Sequence, residues 1–295
     1  MTTTRSPSSQ RVARDDGYGR SSRFYDTPDG QRLPSVTTIL QAVAKPALIN
    51  WAAKVEREAT VQAAANLWED LKSAAGAPKM TRPVYITTLE TRLGKQKAHQ
   101  KELAKAGEIG SQVHALIEWN LRRQLGQKLG PEPEITDAAA WAFAGYEEWR
   151  ASAGFRPKLI EHTVWSSRYG YAGTMDWYGD VDGLPCVGDW KTGKAIYGEA
   201  VLQNAAYIHA LKEMGHVEGS VGGCIVRLPK IESDPGIEVK IITPEEVDAA
   251  FAVFLNVFEV WKWMEAEKPK GRPSQRARPA GDPSGAPDGK KEATA

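Results

Sequence analysis

Apolar residues along the chain recur first at helical spacing and then, beyond residue 152, at strand spacing. The N-terminal LPSVTTILQAV gives way to KPALINWAAKVEREATVQAAANLWEDLKSAA, whose apolar positions follow the helical period. A long helical pattern resumes over 96–124 and stops near Gly126, and DAAAWAFAGYEEWRAS (137–152) predicts another helix. Strands follow: KLIEHTVWS (158–166), the two arms around Asp182-Gly183, GGCIVRLP (222–229) and IEVKIIT (237–243). A helix over 199–214 separates the hairpin from the later strands. The last helix opens at Thr243-Pro244-Glu245-Glu246, a capping-box spacing with proline in its first turn, and runs to about Glu265. No internal repeat is present. These patterns predict a helical N-terminal part over 23–95 and a core of sheet and packed helices over 96–267, α/β or α+β in class. Residues 1–22 are rich in Ser, Thr and Arg without periodicity. Residues 268–295 form a Pro/Gly/Ala tail with seven basic and three acidic residues. Both ends read as disordered.

The hairpin YAGTMDWYGDVDGLPCVGDWKTGK (171–194) carries the strongest chemical signal. Asp182-Gly183 is a two-residue turn, so Val181 faces Leu184. Counting outward sets Asp176 opposite Asp189 and Thr174 opposite Lys191. Like charges so placed repel unless something compensates, and a bound cation would. Strand alternation puts Asp189 and Lys191 on one face and Trp190 on the other. Two carboxylates and an ammonium therefore converge, an array suited to metal-dependent phosphodiester hydrolysis with hard oxygen ligands around Mg²⁺. Asp-x-Lys alone is common on ordinary surface hairpins, so the downstream sequence matters. In EAVLQNAAYIHALKEMG, Gln203 and Tyr207 stand at i and i+4 on one helical face, while Val201, Leu202, Ala205, Ile208 and Leu211 provide a packing face.

Composition narrows the partners. With 41% hydrophobic and 25% charged residues over 295, the chain can bury a sizeable core. No apolar run approaches the roughly 18 residues of a membrane helix, and the N-terminus lacks a signal-peptide core, so a cytoplasmic protein with no membrane partner is expected. Net charge is +1, which confines any nucleic-acid binding to local patches. Residues 92–105, RLGKQKAHQKELAK, carry five Lys/Arg against one Glu. Lys97, Lys101 and Lys105 there are candidate phosphate contacts; a solvated helix face explains the same pattern equally well. Trp51, Trp141, Trp149, Trp261 and Trp263 read as core or half-buried helix residues rather than base-stacking platforms.

The ordered set GSQVHALIE (110–118), GTMD (173–176), GDWKTGK (188–194) and QNAAY (203–207) resembles the PD-(D/E)XK nuclease superfamily, specifically its RecB-like branch. FYDTPDGQRLPSVTTIL through LINWAA is similar to phage-encoded exonucleases of that group, so the resemblance spans about residues 24 to 265. It implies an α/β restriction-endonuclease-like core, a central mixed β-sheet flanked by helices. It further implies His114, Asp176, Asp189 and the Trp190 carbonyl as ligands of Mg²⁺ or Mn²⁺, Lys191 as the catalytic lysine beside the two aspartates, and Gln203 and Tyr207 as residues that position DNA. Relatives often carry an acid at the position of Glu161, which is expected to support the ligands from behind rather than to bind the ion, and Glu118, four residues after His114, is placed to orient its imidazole. His99, His162, His209 and His216 read as surface histidines. Some relatives hold an iron–sulfur cluster on four cysteines; Cys186 and Cys224 are the only cysteines, so no iron–sulfur cluster is expected. The implied activity is a Mg²⁺-dependent deoxyribonuclease, an exonuclease in preference to an endonuclease, with a non-catalytic DNA-binding scaffold as the other alternative. DNA is the implied partner, with a phage single-strand annealing or recombination protein as a candidate companion in the host cytoplasm.

Overall fold

A computed structural model describes residues 8–12, 22–43, 45–73 and 81–268. The N-terminal stretch read as disordered contains strand β1 (Ser8–Val12), paired antiparallel with β2 (Ser22–Asp26), which pairs in turn with β3 (Arg32–Pro34). The rest of that stretch, and the tail beyond residue 268, lie outside the described residues. The β2–β3 turn closes on Gly30, whose φ of 82° suits glycine and few other residues. Ser35 then caps α1 (Val36–Ile39) by accepting the Thr38 N–H, and bridges to Ala172 of the main sheet. This three-stranded unit therefore docks on the main sheet rather than standing apart from it.

Two helices follow, α2 (Pro46–Ser73) and α3 (Arg82–Leu93), the second entered through Pro83. Next come α4 (Ala98–Gln124) and α5 (Asp137–Ser152). His99, expected at the surface, instead ties α4 to α2: its backbone N–H and its Nδ1 both meet Glu56 Oε1, at 3.0 and 2.7 Å. The basic stretch 92–105 is not one helical face, since it spans the last turn of α3, the bend at Gly94 and the first turns of α4.

The main sheet has five strands in sequence order: β4 (Arg156–Ser166), β5 (Tyr171–Val181), β6 (Leu184–Lys191), β7 (Gly222–Arg227) and β8 (Glu238–Ile242). Neighbours are antiparallel except β6 and β7, which are parallel and joined through α6 (Gly198–Glu213). This is the mixed α/β sheet flanked by helices that the sequence predicts. The closing helix α7 (Pro244–Ala266) carries the predicted capping box between Thr243 and Glu246.

Each face of the sheet has its own core. On one face α6, α7 and α1 bury Ile39, Tyr171, Met175, Val187, Ile208, Ile225 and Phe254. On the other, α4 and α5 bury Val113, Ile117, Leu121, Tyr146, Trp149, Trp177 and Trp190. Val113, Ile117 and Leu121 repeat at i, i+4, i+8, the stripe expected of a helix lying on a sheet. Gly188 is essential to this packing, because a Cβ there would overlap the Trp177 indole. Trp149 is buried as expected, whereas Trp141 and Trp263 are exposed, for no element covers them.

Candidate active site

The site is built where β4 and β5 break their alternation. The ladder pairs Ile160 with Trp177 and His162 with Met175, and skips the intervening Glu161 and Asp176. On β5, Tyr171 and Met175 face the α6/α7 core, yet Trp177 and Val181, of the same parity, face α4 and α5. The strand therefore inverts its faces at Asp176, and β4 does the same between Ile160 and Val164. Glu161 takes the strain, with φ of 45°, a region that costs a non-glycine residue about 1–3 kcal/mol.

What holds it there is a short chain of contacts. Arg122 Nη2 donates to the Ile160 carbonyl at 3.3 Å, and Arg122 Nε donates to Glu118 Oε1 at 2.7 Å. Glu118 thus makes no bond to His114; it braces the backbone ahead of Glu161 through Arg122. Both His114 nitrogens are engaged elsewhere. Nε2 donates to the Trp190 carbonyl at 3.1 Å, and Nδ1 lies 3.5 Å from Asp176 Oδ1.

The β5–β6 ladder ends at Trp177 and Gly188. The expected pairs Asp176–Asp189 and Thr174–Lys191 do not form. Instead Asp176 Oδ2 accepts the Trp190 N–H at 2.7 Å, occupying the place of a main-chain carbonyl. Thr174 turns to Thr163 and to the Tyr25 hydroxyl of β2.

Two linked groups result. His114, Glu161 and Asp176 each bring one ligand atom within 4.8 Å of the others. Beside them Asp189, almost fully buried, receives Lys191 Nζ at 2.9 Å on Oδ1 and lies 2.6 Å from it on Oδ2, where the orientation makes no hydrogen bond. Gln203 joins this second group: its Oε1 accepts from Lys191, and its amide donates to Asp189 Oδ1 and to the Tyr207 hydroxyl. Asp189, expected among the metal ligands, serves in this structure as the partner of Lys191. Glu161, rather than Asp189, brings a carboxylate oxygen within 4.8 Å of the ligand atoms of His114 and Asp176.

Electrostatics follow from crowding acids in a partly dry cleft. Burial, then Asp176, pushes the Glu161 carboxyl up to about 8. Burial and Asp176 push Asp189 up to about 6 against the opposing pull of Lys191. Asp176 is also buried, yet the His114 charge holds it below the usual carboxylate range. Burial disfavours the His114 imidazolium, but the surrounding carboxylates prevail and raise it to about 9. Lys191 is likewise raised despite burial, by Asp189 and Asp176. It remains an ammonium and so is not a proton acceptor at neutral pH.

An open cleft of about 510 Å³ is lined by His114, Glu161, Thr174, Asp176, Gln203 and Tyr207 together with residues the sequence reading missed: Arg23, Thr37 and Ser111. The signal for Arg23 was Asp29-Gly30 between Phe24-Tyr25 and Leu33, a hairpin pattern of the same kind as Asp182-Gly183. Lys97, Lys101 and Lys105 are exposed and lie outside the cleft. No helix among the described residues is long and apolar enough to cross a membrane.

No protein-family model and no curated protein matches this chain. A solved structure from Eubacterium rectale, provisionally named an exonuclease, is similar over 61% of this chain and 74% of its own, at 14% identity and a TM-score of 0.35.

Proposed function

We propose that this protein is a metal-dependent deoxyribonuclease, an exonuclease that hydrolyses phosphodiester bonds in phage-type DNA recombination or processing. The observation that carries this reading is the convergence of His114, Glu161 and Asp176 where two adjacent strands invert their faces, beside the Asp189–Lys191 pair.

The residues fit a hard divalent cation such as Mg²⁺ or Mn²⁺. Two carboxylates and an imidazole converge, the Trp190 carbonyl lies 3.1 Å from the imidazole Nε2, and burial with the neighbouring Asp176 pushes the Glu161 carboxyl up to about 8. His114, Glu161, Asp176 and the Trp190 carbonyl would hold the ion. When bound, it polarises a phosphoryl oxygen and acidifies a coordinated water.

The remaining work falls to the chain. Lys191 presents a permanent positive charge to the oxygen that gains charge as the phosphodiester is attacked. Asp189 keeps that ammonium charged and aimed, and Gln203 fixes it from the other side. Tyr207 holds Gln203, with its ring seated on Gly173, where a Cβ would collide with it. Arg23, Thr37 and Ser111 line the approach and offer donors to a phosphate backbone.

Incubating the purified protein with end-labelled linear and closed circular DNA, in Mg²⁺ or EDTA, tests the proposal. Release of nucleotides from linear DNA only, abolished by EDTA, is the expected result. Nicking of circles makes the protein an endonuclease instead. Retention of DNA without cleavage makes it a scaffold and overturns the reading.

A further inference from the structure

Strand β8 is the outer strand of the five-stranded sheet among the described residues, with β7 on its inner side. With the residue before it, β8 reads Ile237-Glu238-Val239-Lys240-Ile241. Alternation puts the three apolar residues on one face and the two charges on the other. Val239 opposes Val226 and Ile241 opposes Cys224, both members of the core beneath α4 and α5. Among the described residues no helix covers Val239 and Ile241, however, and they remain 43% and 45% exposed. Beside them Trp141 of α5 and Ile231 are 47% and 53% exposed, on the rim of a groove of about 500 Å³ between α5 and the loop 229–237. An apolar edge strand of this kind invites pairing, and a lysine on it is a common guard.

We propose that β8 is a homodimer edge: two copies pair β8 with β8, antiparallel about a two-fold axis through Val239, to make a continuous ten-stranded sheet. In that register Val239 meets Val239 of the second copy. Glu238 meets Lys240 twice, and Ile237 meets Ile241 twice. Lysine is then no guard, since each Lys240 finds an opposite charge. The neighbouring registers fail. Centring on Lys240 sets lysine against lysine, and centring on Glu238 sets glutamate against glutamate, both destabilising. Any register that matches an odd residue with an even one turns the apolar face of one copy onto the charged face of the other. Glu238 already uses Oε2 for Arg227 at 3.1 Å, which leaves Oε1 for the second copy. Trp141 and Ile231 extend the apolar surface alongside the seam, as a stable interface above about 1,000 Å² requires.

The test is sedimentation equilibrium of the full chain at micromolar concentration, with cysteine cross-linking to read the register. The expected species has twice the 32.3 kDa chain mass. Val239→Cys should oxidise to a disulfide-linked dimer, since directly opposed Cβ atoms lie roughly 4.5–5.5 Å apart; Cys186 and Cys224 are buried and stay silent. Ile241→Cys alone should not cross-link, whereas a mixture of Ile237→Cys and Ile241→Cys copies should. Lys240→Glu should yield a monomer with an unchanged melting temperature at low concentration. A monomeric wild type overturns the proposal, including the case in which the edge binds an extended segment of another protein. So does a dimer indifferent to Lys240→Glu, or one in which Ile241→Cys cross-links as well as Val239→Cys.

Discussion

Glu161 and Asp176 oppose each other across β4 and β5 at a position the ladder skips, and Glu161 accepts a left-handed backbone to do so. Two adjacent acids repel, and a strained φ adds to the cost, so nothing in folding alone favours the arrangement. It persists because the Ile160 carbonyl is held by Arg122 and the Asp176 carboxylate by the Trp190 N–H. Local stability is given up where three side chains that could hold a metal ion meet.

Replacing either acid should therefore separate stability from metal binding. Glu161→Gln relieves repulsion, so its melting temperature in EDTA should stay level or rise, whereas Asp176→Asn also gives up the pairing with His114 and should lower it. The increase produced by added Mn²⁺ in the wild type should disappear in both variants, because ligand-linked stabilisation requires the site. Thermal melts with and without Mn²⁺ check this, and an unchanged Mn²⁺ shift in both variants contradicts a shared ion.

The same cluster sets a pH dependence in the metal-free protein. Glu161 is raised from 4.5 to about 8, so in the folded state it keeps its proton over a range where the unfolded chain has lost it. Its contribution is complete below pH 4.5 and is lost as pH climbs to about 8. His114, raised from 6.5 to about 9, loses its contribution over the upper part of that range. Unfolding free energy measured by urea titration in EDTA should thus decline from pH 4.5 towards 9, and Glu161→Gln should flatten the lower part. Metal must displace these protons, so Mn²⁺ affinity should rise with pH over the same interval.

Lys191→Ala removes the ammonium without disturbing the ligands. Asp189, already raised to about 6, can take up a proton in its absence, so the fold should hold. Cleavage should fall by about 10²–10³-fold, the usual loss for one preorganised charge at a transition state. DNA affinity should change little. A variant that cuts at the wild-type rate would falsify the role given to Asp-x-Lys.

How much of this was legible in the sequence differs from residue to residue. The turn at Asp182-Gly183, the sharing of a face by Asp189 and Lys191, the Gln203–Tyr207 pair and the capping box at Thr243 all depend on local spacing, and the structure places them as read. The Asp176–Asp189 pairing was lost because a side chain, Asp176, captures a backbone N–H and ends the ladder; no pattern of apolar residues encodes that competition. Glu161 was read only as a supporting acid behind the ligands. Its role depends on a left-handed backbone fixed by Arg122, which reaches the neighbouring Ile160 carbonyl from 38 positions away. The β2–β3 hairpin was readable from Asp29-Gly30 and was missed, and with it Arg23.

The basic stretch before His114 remains the sharpest question about DNA. Lys97, Lys101 and Lys105 are exposed at the start of α4, and no acid forms a salt bridge with them among the described residues. Lys105 stands nine residues before His114, about 13 Å along the helix at 1.5 Å per residue, so a strand crossing the cleft would pass close to it. Each phosphate contact contributes about 0.9 to the slope of log affinity against log salt. Reversing all three lysines to glutamate should weaken DNA binding at low salt and lower that slope by up to about three, while the melting temperature and the Mn²⁺ shift stay as in the parent. Fluorescence anisotropy of a labelled duplex across a salt series reads both quantities. Equal slope and affinity in the triple variant would make this segment a solvated surface, and DNA would then reach His114 past Arg23 and Thr37.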